Sequence, residues 1–272
     1  MLRELNQGSA HVTIYEDAFN KRIRLDDYSG DVNEVTALLD AATPDWTEKV
    51  IIKSRPEDIQ AFLKAGFPEE AFIKGYFRGD DMHFLARYLS RERAINSKEE
   101  EESAIVQAVL ASGTGDSFPS TTTEIMQAKK NDAEDLAKLY RETFAVYPTP
   151  VGDPAFVLKT MIGGTRYVYV RENGRIVSAA SAEINGKYHN AELTDCATAD
   201  GFQGNGYMRA LLLQLENNLI SDGISCLYTI ARAESFGMNK AFHQLGYTFG
   251  GRMTNNCFIY SGLEDMNVWY KN

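Results

Sequence analysis

The sequence predicts an α/β (α+β) protein built in two parts. Runs of β-branched residues alternate with segments of helical periodicity along the chain, which is the pattern of helices packed on a sheet. The pairs Asn173-Gly174 and Asn185-Gly186 stand between such runs, and Asn-Gly is the strongest short-range signal of a hairpin. A stretch rich in Gly, Ser, Thr and Pro at 112–123 is typical of a linker. We therefore expect domains at 1–117 and 118–272.

Local signals define the elements of the first half. Asp31 and Glu34 have the spacing of a capping box at a helix start, and Pro56 suits the first turn of the next helix. The charged residues 98–102 indicate the exposed end of another helix. In order, the expected elements are a strand at 21–25, a helix at 31–40, a strand at 49–53, a helix at 55–66 and a hairpin of strands at 71–77 and 82–89.

The second half has clearer periodicity. Apolar residues at Leu136, Leu139 and Tyr140 follow Asn131, which predicts a capped amphipathic helix. The Asn-Gly turns predict three consecutive antiparallel strands. In order, the expected elements are a strand at 122–129, a helix from 131, a helix ending at 161, strands at 166–171, 175–183 and 188–199, a helix at 206–221, a strand at 224–231, a helix at 235–245 and two strands ending at 259.

Composition and charge exclude several classes of protein. The 272 residues are 44% hydrophobic and 24% charged, as in an ordinary globular chain. No apolar run approaches the roughly 18–20 residues that span a bilayer, and the first residues lack the apolar segment of a secretory signal. We expect a cytoplasmic protein that binds no membrane.

The net charge of −10 lacks the basic excess that would neutralise phosphates. We therefore expect no nucleic-acid partner, and the negative field favours a cationic small substrate. The three cysteines, Cys196, Cys226 and Cys257, are widely spaced and lack metal-ligand spacing. We expect no metal site.

The glycine-rich segment 200–208 is the most informative motif. A predicted strand runs into it, and an amphipathic helix follows. Backbone N–H groups at a helix start form an anion site, and glycines such as Gly204 and Gly206 let a phosphate approach the backbone. The segment lacks the Lys-Ser/Thr of a P-loop, and a structural turn is the alternative interpretation.

The order of elements around this loop resembles the GNAT superfamily of acyl-CoA-dependent N-acyltransferases over about residues 122–262. The loop contains Gln203-x-x-Gly206-x-Met208, in which Met208 replaces the family's small residue. A later turn, Gln244-Leu-Gly-Tyr247, also matches. The resemblance implies a mixed, mostly antiparallel sheet and acetyl-CoA as co-substrate.

A closer resemblance covers nearly the whole chain. The segments 147–150, 191–198, 235–239 and 264–271 are similar to those of β-lysine N-acetyltransferases. This implies acetylation of the side-chain amine of β-lysine to N6-acetyl-β-lysine, a compatible solute. The ending of the first half at 62–77 also resembles a GNAT ending. One interpretation is that the first half is a degenerate GNAT-like half-domain. The alternative is that the match is a coincidence of a common α/β pattern.

The resemblance implies how acetyl-CoA is held. Backbone groups of Cys196 and Thr198 pair with the pantetheine arm, and Ser235 and Asn239 contact it. Ser235 has the alternative role of a helix N-cap. The loop residues expected to hold the pyrophosphate are Gln203, Gly204, Asn205, Gly206, Tyr207 and Met208.

A lysine-like amine has a pKa of about 10.4, so a base must take its proton before it attacks. Glu192 is the first candidate base and Asp195 the second. In a straight strand they face opposite sides, and a bulge would mix the two faces. Alternatively, either carboxylate binds a cation or caps a loop. Phe242 stands where the superfamily usually has a tyrosine acid, so the acid stays unassigned. The alternatives are Tyr247, water, or a thiolate that leaves unprotonated.

Arg232 is a candidate for the acceptor's carboxylate because an arginine fork binds carboxylates. Tyr147 and either Glu264 or Asp265 are candidate pocket edges. The alternative functions are acetylation of lysine, a polyamine or a protein amine, and non-catalytic acyl-CoA binding, which Phe242 would favour. We also consider a homodimer.

Overall fold

In the computed structural model, which describes residues 1–114, 123–259 and 262–272, one mixed sheet of thirteen strands runs through both halves of the chain. The strands are β1 (Leu2–Gln7), β2 (Ala10–Asp17), β3 (Arg22–Ser29), β4 (Lys49–Ser54), β5 (Glu69–Phe77), β6 (Asp80–Tyr88), β7 (Ile125–Gln127), β8 (Arg166–Glu172), β9 (Arg175–Asn185), β10 (Asn190–Thr198), β11 (Cys226–Arg232), β12 (Thr248–Ile259) and β13 (Gly262–Lys271). The helices are α1 (Val32–Ala42), α2 (Ile59–Lys64), α3 (Glu99–Ala111), α4 (Ala133–Thr143), α5 (Pro154–Ile162), α6 (Tyr207–Ser221) and α7 (Phe236–Gln244).

The spatial order of the strands is β1-β2-β3-β4-β6-β5-β12-β13-β11-β10-β9-β8-β7. The pairs β3–β4 and β10–β11 are parallel, while the other neighbours are antiparallel. The predicted mixed, mostly antiparallel sheet with α+β packing is confirmed.

The first half agrees with its local signals, with two differences. Asp31 caps α1 as predicted, because its carboxylate accepts from the backbone N–H groups of Asn33 and Glu34. The reciprocal half of the capping box is wrong, since the Glu34 carboxylate accepts instead from Ser9, whose N–H lies 2.7 Å away. Strands β1 and β2 were not predicted.

In the second half, the β8–β9 hairpin turns at Asn173-Gly174 with positive φ at both residues, as predicted. Helix α4 begins at Ala133 after a 3₁₀ turn at Lys130–Asp132, so the prediction of Asn131 as its cap is wrong. The expected pair of strands ending at 259 is also wrong. That region is the single strand β12, and β13 follows it into the sheet between β12 and β11.

The two faces of the central strands carry separate hydrophobic cores. On one face, Trp269 and Leu227 pack with Leu215 beneath α6 and α7. On the other face, Tyr228 and Met266 pack against the sheet of the first half. The first half therefore covers a face of the second half in addition to continuing its sheet.

The two halves join where β12 meets β5, at the register pair Gly251 and Ala71. Gly251 has φ +130°, and a Cβ there would lie 2.5 Å from the Glu70 carbonyl oxygen. The buried Lys49 ammonium pairs with the Glu70 carboxylate at 2.8 Å and donates to the Thr254 carbonyl at 2.7 Å. The division into two domains stays a prediction, and its boundary lies within 115–122, outside the described residues.

Candidate active site

A cleft of about 1030 Å³ opens between the two halves. Its walls come from β10 and β11, the loop before α6, the start of α7, the loop after α4, and strands β2, β3, β4 and β6 of the first half. The cleft thus brings residues that are far apart in sequence against the glycine-rich loop.

Strands β10 and β11 separate at the centre of this cleft. They pair in parallel from Asn190 only as far as Glu192. Beyond that point β10 shifts register against β9 between Thr194 and Ala197, with Asp195 at φ +48°. The bulge places Asp195 and Cys196, which alternate in an ideal strand, on the same cleft. The separated strand edge leaves room for an extended ligand beside Cys196 and Thr198.

The glycine-rich loop bends through left-handed backbone at Gly201, Gly204 and Gly206, with φ of +82°, +80° and +76°. Helix α6 begins directly after it, so the N–H groups of its first turn and the helix dipole point to the loop. A Cβ at Gly204 would meet open space, which leaves a phosphate free to approach the backbone. The loop therefore fits the pyrophosphate of an acyl-CoA.

The side chains of the loop take different directions. Gln203, Tyr207 and Met208 line the cleft. The Asn205 amide turns back to donate to the Phe202 carbonyl at 3.2 Å, so its side chain is occupied within the loop. Met208 fills the place of the family's small residue without closing the cleft.

Glu192 lies in the cleft, at the last position where β10 pairs with β11. Burial and the charge of Glu183 raise the pKa of its carboxyl to about 7, against the opposing effects of Lys53 and Arg24 and of a hydrogen bond from Tyr228. Glu183 and Tyr228 are its register partners on β9 and β11. A carboxyl with this pKa can accept and release a proton near neutral pH.

Asp195 also lines the cleft, and two side-chain hydroxyl groups hold its carboxylate. The Ser181 hydroxyl donates to its carboxylate at 2.8 Å, and the Tyr147 hydroxyl also bonds to it. Burial raises the pKa of Asp195 to about 6. Tyr147 stacks on Phe144 with ring centroids 4.3 Å apart. The structure therefore brings Tyr147 to the cleft wall, as predicted, where it orients Asp195.

Asn239 does not fit its predicted contact with pantetheine. It is fully buried, and its amide donates to the carbonyls of Arg232 and Ser235 at 2.9 and 2.7 Å. Its Oδ1 accepts from Asn267 at 2.9 Å and from the Trp269 indole at 2.7 Å. These bonds tie the start of α7 to β13, which corrects the role of Asn239 from ligand binding to structure.

We expect Asn239→Ala to lower the free energy of unfolding by about 2–4 kcal/mol, because two buried donors, on Asn267 and Trp269, lose their acceptor. The exposed Asn33→Ala variant is the matched control in urea unfolding. The KM for acetyl-CoA should not change. A raised KM in a folded Asn239→Ala protein would restore the ligand-binding role.

Arg232 and Glu264 pair with each other through two hydrogen bonds, one of them 2.7 Å between Nη2 and Oε1. Arg232 lines the cleft, while Glu264 lies behind it on β13. The sequence instead predicts that Arg232 binds the carboxylate of the acceptor and that Glu264 lies at the edge of the pocket. Ser235 caps α7 by accepting from the Met238 N–H, and it also lines the cleft.

Phe242 and Tyr247 are both buried against each other in the core behind α7, with ring centroids 5.1 Å apart. The Tyr247 hydroxyl has no hydrogen-bond partner within the described part of the chain. This position separates Tyr247 from the reacting cleft. The tyrosines that line the cleft are Tyr15, Tyr147, Tyr207 and Tyr228.

Sequence reasoning missed Glu183, Tyr228 and the cleft residues of the first half. Glu183 was visible only as a charge shortly before the Asn185-Gly186 turn. Its pairing with Glu192 depends on the register of β9 against β10. Over the described ranges, no cluster of three His, Cys, Asp or Glu side chains forms a metal site, and none of the helices there has the length and apolar character needed to cross a membrane.

The chain matches known proteins in agreement with this geometry. Residues 133–247 match the model of the Acetyltransferase (GNAT) family. The N-acetyltransferase YodP of Bacillus subtilis is 37% identical over 100% of this chain and 99% of that protein. The Beta-lysine N(6)-acetyltransferase of Methanosarcina mazei is 34% identical over 89% of this chain and 98% of that protein. The Beta-lysine N(6)-acetyltransferase of Methanococcus maripaludis is 33% identical over 93% of each chain.

The fold and the cleft thus define an acetyltransferase of the GNAT superfamily. Because the resemblance to these relatives spans both halves, the chain belongs to the family of β-lysine N-acetyltransferases.

Proposed function

We propose that this protein transfers the acetyl group of acetyl-CoA to the N6 amine of β-lysine, giving N6-acetyl-β-lysine and CoA. The observation that carries the proposal is the position of Glu192. Its carboxyl, with a pKa of about 7, lies where β10 and β11 begin to separate. The names of the relatives from the two methanogens support β-lysine as the acceptor.

The chain's own residues account for the proton and for positioning. The α6 start and the loop glycines bind the pyrophosphate, and the open edge of β10 at Cys196 and Thr198 aligns the pantetheine arm. Acetyl-CoA supplies the activated carbonyl when it is bound. Glu192 accepts a proton from the acceptor ammonium, which leaves the amine neutral for attack. Asp195, oriented by Ser181, adds a second negative charge that holds the amine in place.

The product has a chemical property that suits a compatible solute. β-Lysine carries two ammonium groups and one carboxylate near pH 7, since amine pKa values lie near 10. Acetylation removes one positive charge and leaves a zwitterion without net charge. We propose that the product accumulates as an osmolyte in the cytoplasm.

The test is a substrate comparison with the purified protein. Thiol release and product mass are followed with acetyl-CoA and β-lysine, α-lysine or spermidine, and a reaction without amine corrects for thioester hydrolysis. We expect β-lysine to have the highest kcat/KM and the product to carry the acetyl group on N6. A higher kcat/KM for another amine would keep the acetyltransferase activity and overturn the assignment of β-lysine.

A further inference from the structure

Among the cations that the first half contributes to the cleft, two have charges that act on the candidate base Glu192. Arg24 of β3 and Lys53 of β4 are both lining residues. Each pairs with Asp26, at 3.1 Å from the Arg24 Nη2 and at 3.0 Å from the Lys53 Nζ. Two cations that share one carboxylate leave a net positive charge on this wall.

The two cations are held in place from behind. Asp26 lies outside the cleft lining, and despite its burial Arg24 and Lys53 hold its pKa well below the usual value. The Arg24 guanidinium lies over the Tyr15 ring at 5.4 Å, and the Lys53 ammonium donates to the Tyr76 hydroxyl at 3.2 Å. Fixed cations of this kind bind an anion without first having to be ordered.

The facing wall has the opposite charge. Glu183 and Glu192 line it from β9 and β10, and Arg24 is close enough for its charge to interact with Glu192. The second half also lines the cleft with Arg209, Arg232 and Lys240. The contrast of charge is therefore local, between the positive Arg24 and Lys53 and the acidic pair of Glu183 and Glu192. A ligand that matches both walls has an ammonium group at one end and a carboxylate at the other, as a lysine-like amino acid has in its side-chain amine and its carboxylate.

We infer that Arg24 and Lys53 bind the carboxylate of the acceptor, so that the first half makes the enzyme select amino acids over simple polyamines. The inference rests on the proposed function for the identity of the acceptor. It moves the carboxylate site from Arg232, whose charge is balanced by Glu264, to Arg24 and Lys53, which together carry one positive charge more than the Asp26 that they share. It also gives the first half a direct part in substrate recognition.

The test compares β-lysine with β-lysine amide, which keeps both amines and loses the negative charge. For the wild-type protein we expect kcat/KM to be about 10- to 100-fold higher for the acid, the range of one charged hydrogen-bonded contact. In Arg24→Gln and in Lys53→Met, the KM for β-lysine should rise by a similar factor. The assays are run well above the pKa of Glu192, where the loss of either cation leaves the base ionised. There the kinetic constants for the amide and the KM for acetyl-CoA should change by less than about 3-fold.

Lys21→Met is the matched control, because it removes a cation that lies just before β3 and pairs with Glu48 on the surface. The ratio of its kcat/KM for β-lysine to its kcat/KM for β-lysine amide should equal that of the wild type. Equal turnover of acid and amide by the wild-type protein would overturn the inference without any variant. Equal losses on acid and amide in both cleft variants would also overturn it, since they would indicate a structural role.

The outcomes separate this inference from the proposed function. If the wild-type protein acetylates α-lysine and fails on β-lysine, the proposed acceptor is wrong. The same comparison with α-lysine and α-lysine amide then decides whether Arg24 and Lys53 read the carboxylate. A preference for spermidine over both amino acids would overturn the inference.

Discussion

The Glu192→Gln variant should lose about 10²- to 10³-fold in kcat at pH 7, the typical contribution of a positioned general base. The amide occupies the same space and cannot accept the proton of the acceptor ammonium. The loss is measured by thiol release at saturating acetyl-CoA and β-lysine. Glu142→Gln, which removes an exposed carboxylate on α4 that pairs with Arg175, is the control and should retain full activity.

The pH dependence gives the same assignment a second test. The base must be deprotonated, so kcat/KM of the wild type should rise with pH and level off above about 7, the raised pKa of Glu192. Glu192→Gln should lose this rise. Glu183→Gln should move it to lower pH, because the charge of Glu183 helps to raise the pKa of Glu192. Unchanged kcat and pH dependence in Glu192→Gln would transfer the role to Asp195.

The thermal stability of Glu192→Gln distinguishes a loss of catalysis from a loss of folding. The pKa of Glu192 is raised in the folded protein, so the folded state binds more protons than the unfolded state between pH 4.5 and about 7. The ionised carboxylate therefore reduces stability as pH rises through this window. Glu192→Gln should consequently unfold at a higher temperature than the wild type at pH 8, while its activity falls.

The Gly251→Val variant should lower the free energy of unfolding by about 3–5 kcal/mol, which combines left-handed backbone strain with overpacking. Gly251 has φ +130°, and a Cβ would lie 2.6 Å from the Cα of Ala71 and 2.5 Å from the Glu70 carbonyl oxygen. Because these are backbone atoms, the two strands must move apart. Urea unfolding measures the loss.

Gly186→Ala is the matched control, since a Cβ at Gly186 meets open space. The KM for β-lysine should also rise in Gly251→Val, because the β5–β12 junction sets the distance between the two walls of the cleft. Wild-type stability and KM in this variant would show that the junction tolerates a side chain.

Sequence reasoning succeeded where a signal is local. The Asn173-Gly174 turn, the α6 start after the glycine-rich loop and the Asp31 cap each depend on a few neighbouring residues, and the structure has them where they were predicted. The family resemblance added the sheet and the cofactor loop. Strand β13 was missed because its place between β12 and β11 depends on long-range pairing.

The candidate site was predicted only in part because its geometry is tertiary. A period of two put Glu192 and Asp195 on opposite faces, and the bulge at Asp195 brings both to the cleft. Asn239 had the right motif, but the Trp269 indole that occupies its acceptor lies 30 residues away in sequence. Arg24 and Lys53 carried no motif at all. They line the cleft only because of the way in which the first half packs on the second.

The first half covers an apolar face of the second half, and this has a consequence for whether the two halves can be separated. Met266, Val268 and Tyr270 of β13 are buried against the first half, so an isolated second half would present them to water as a contiguous patch. Such patches drive self-association. The two halves therefore depend on each other for solubility, and recombination that separates them is expected to yield an aggregating chain. We therefore expect the two halves to be inherited together rather than exchanged as separate modules.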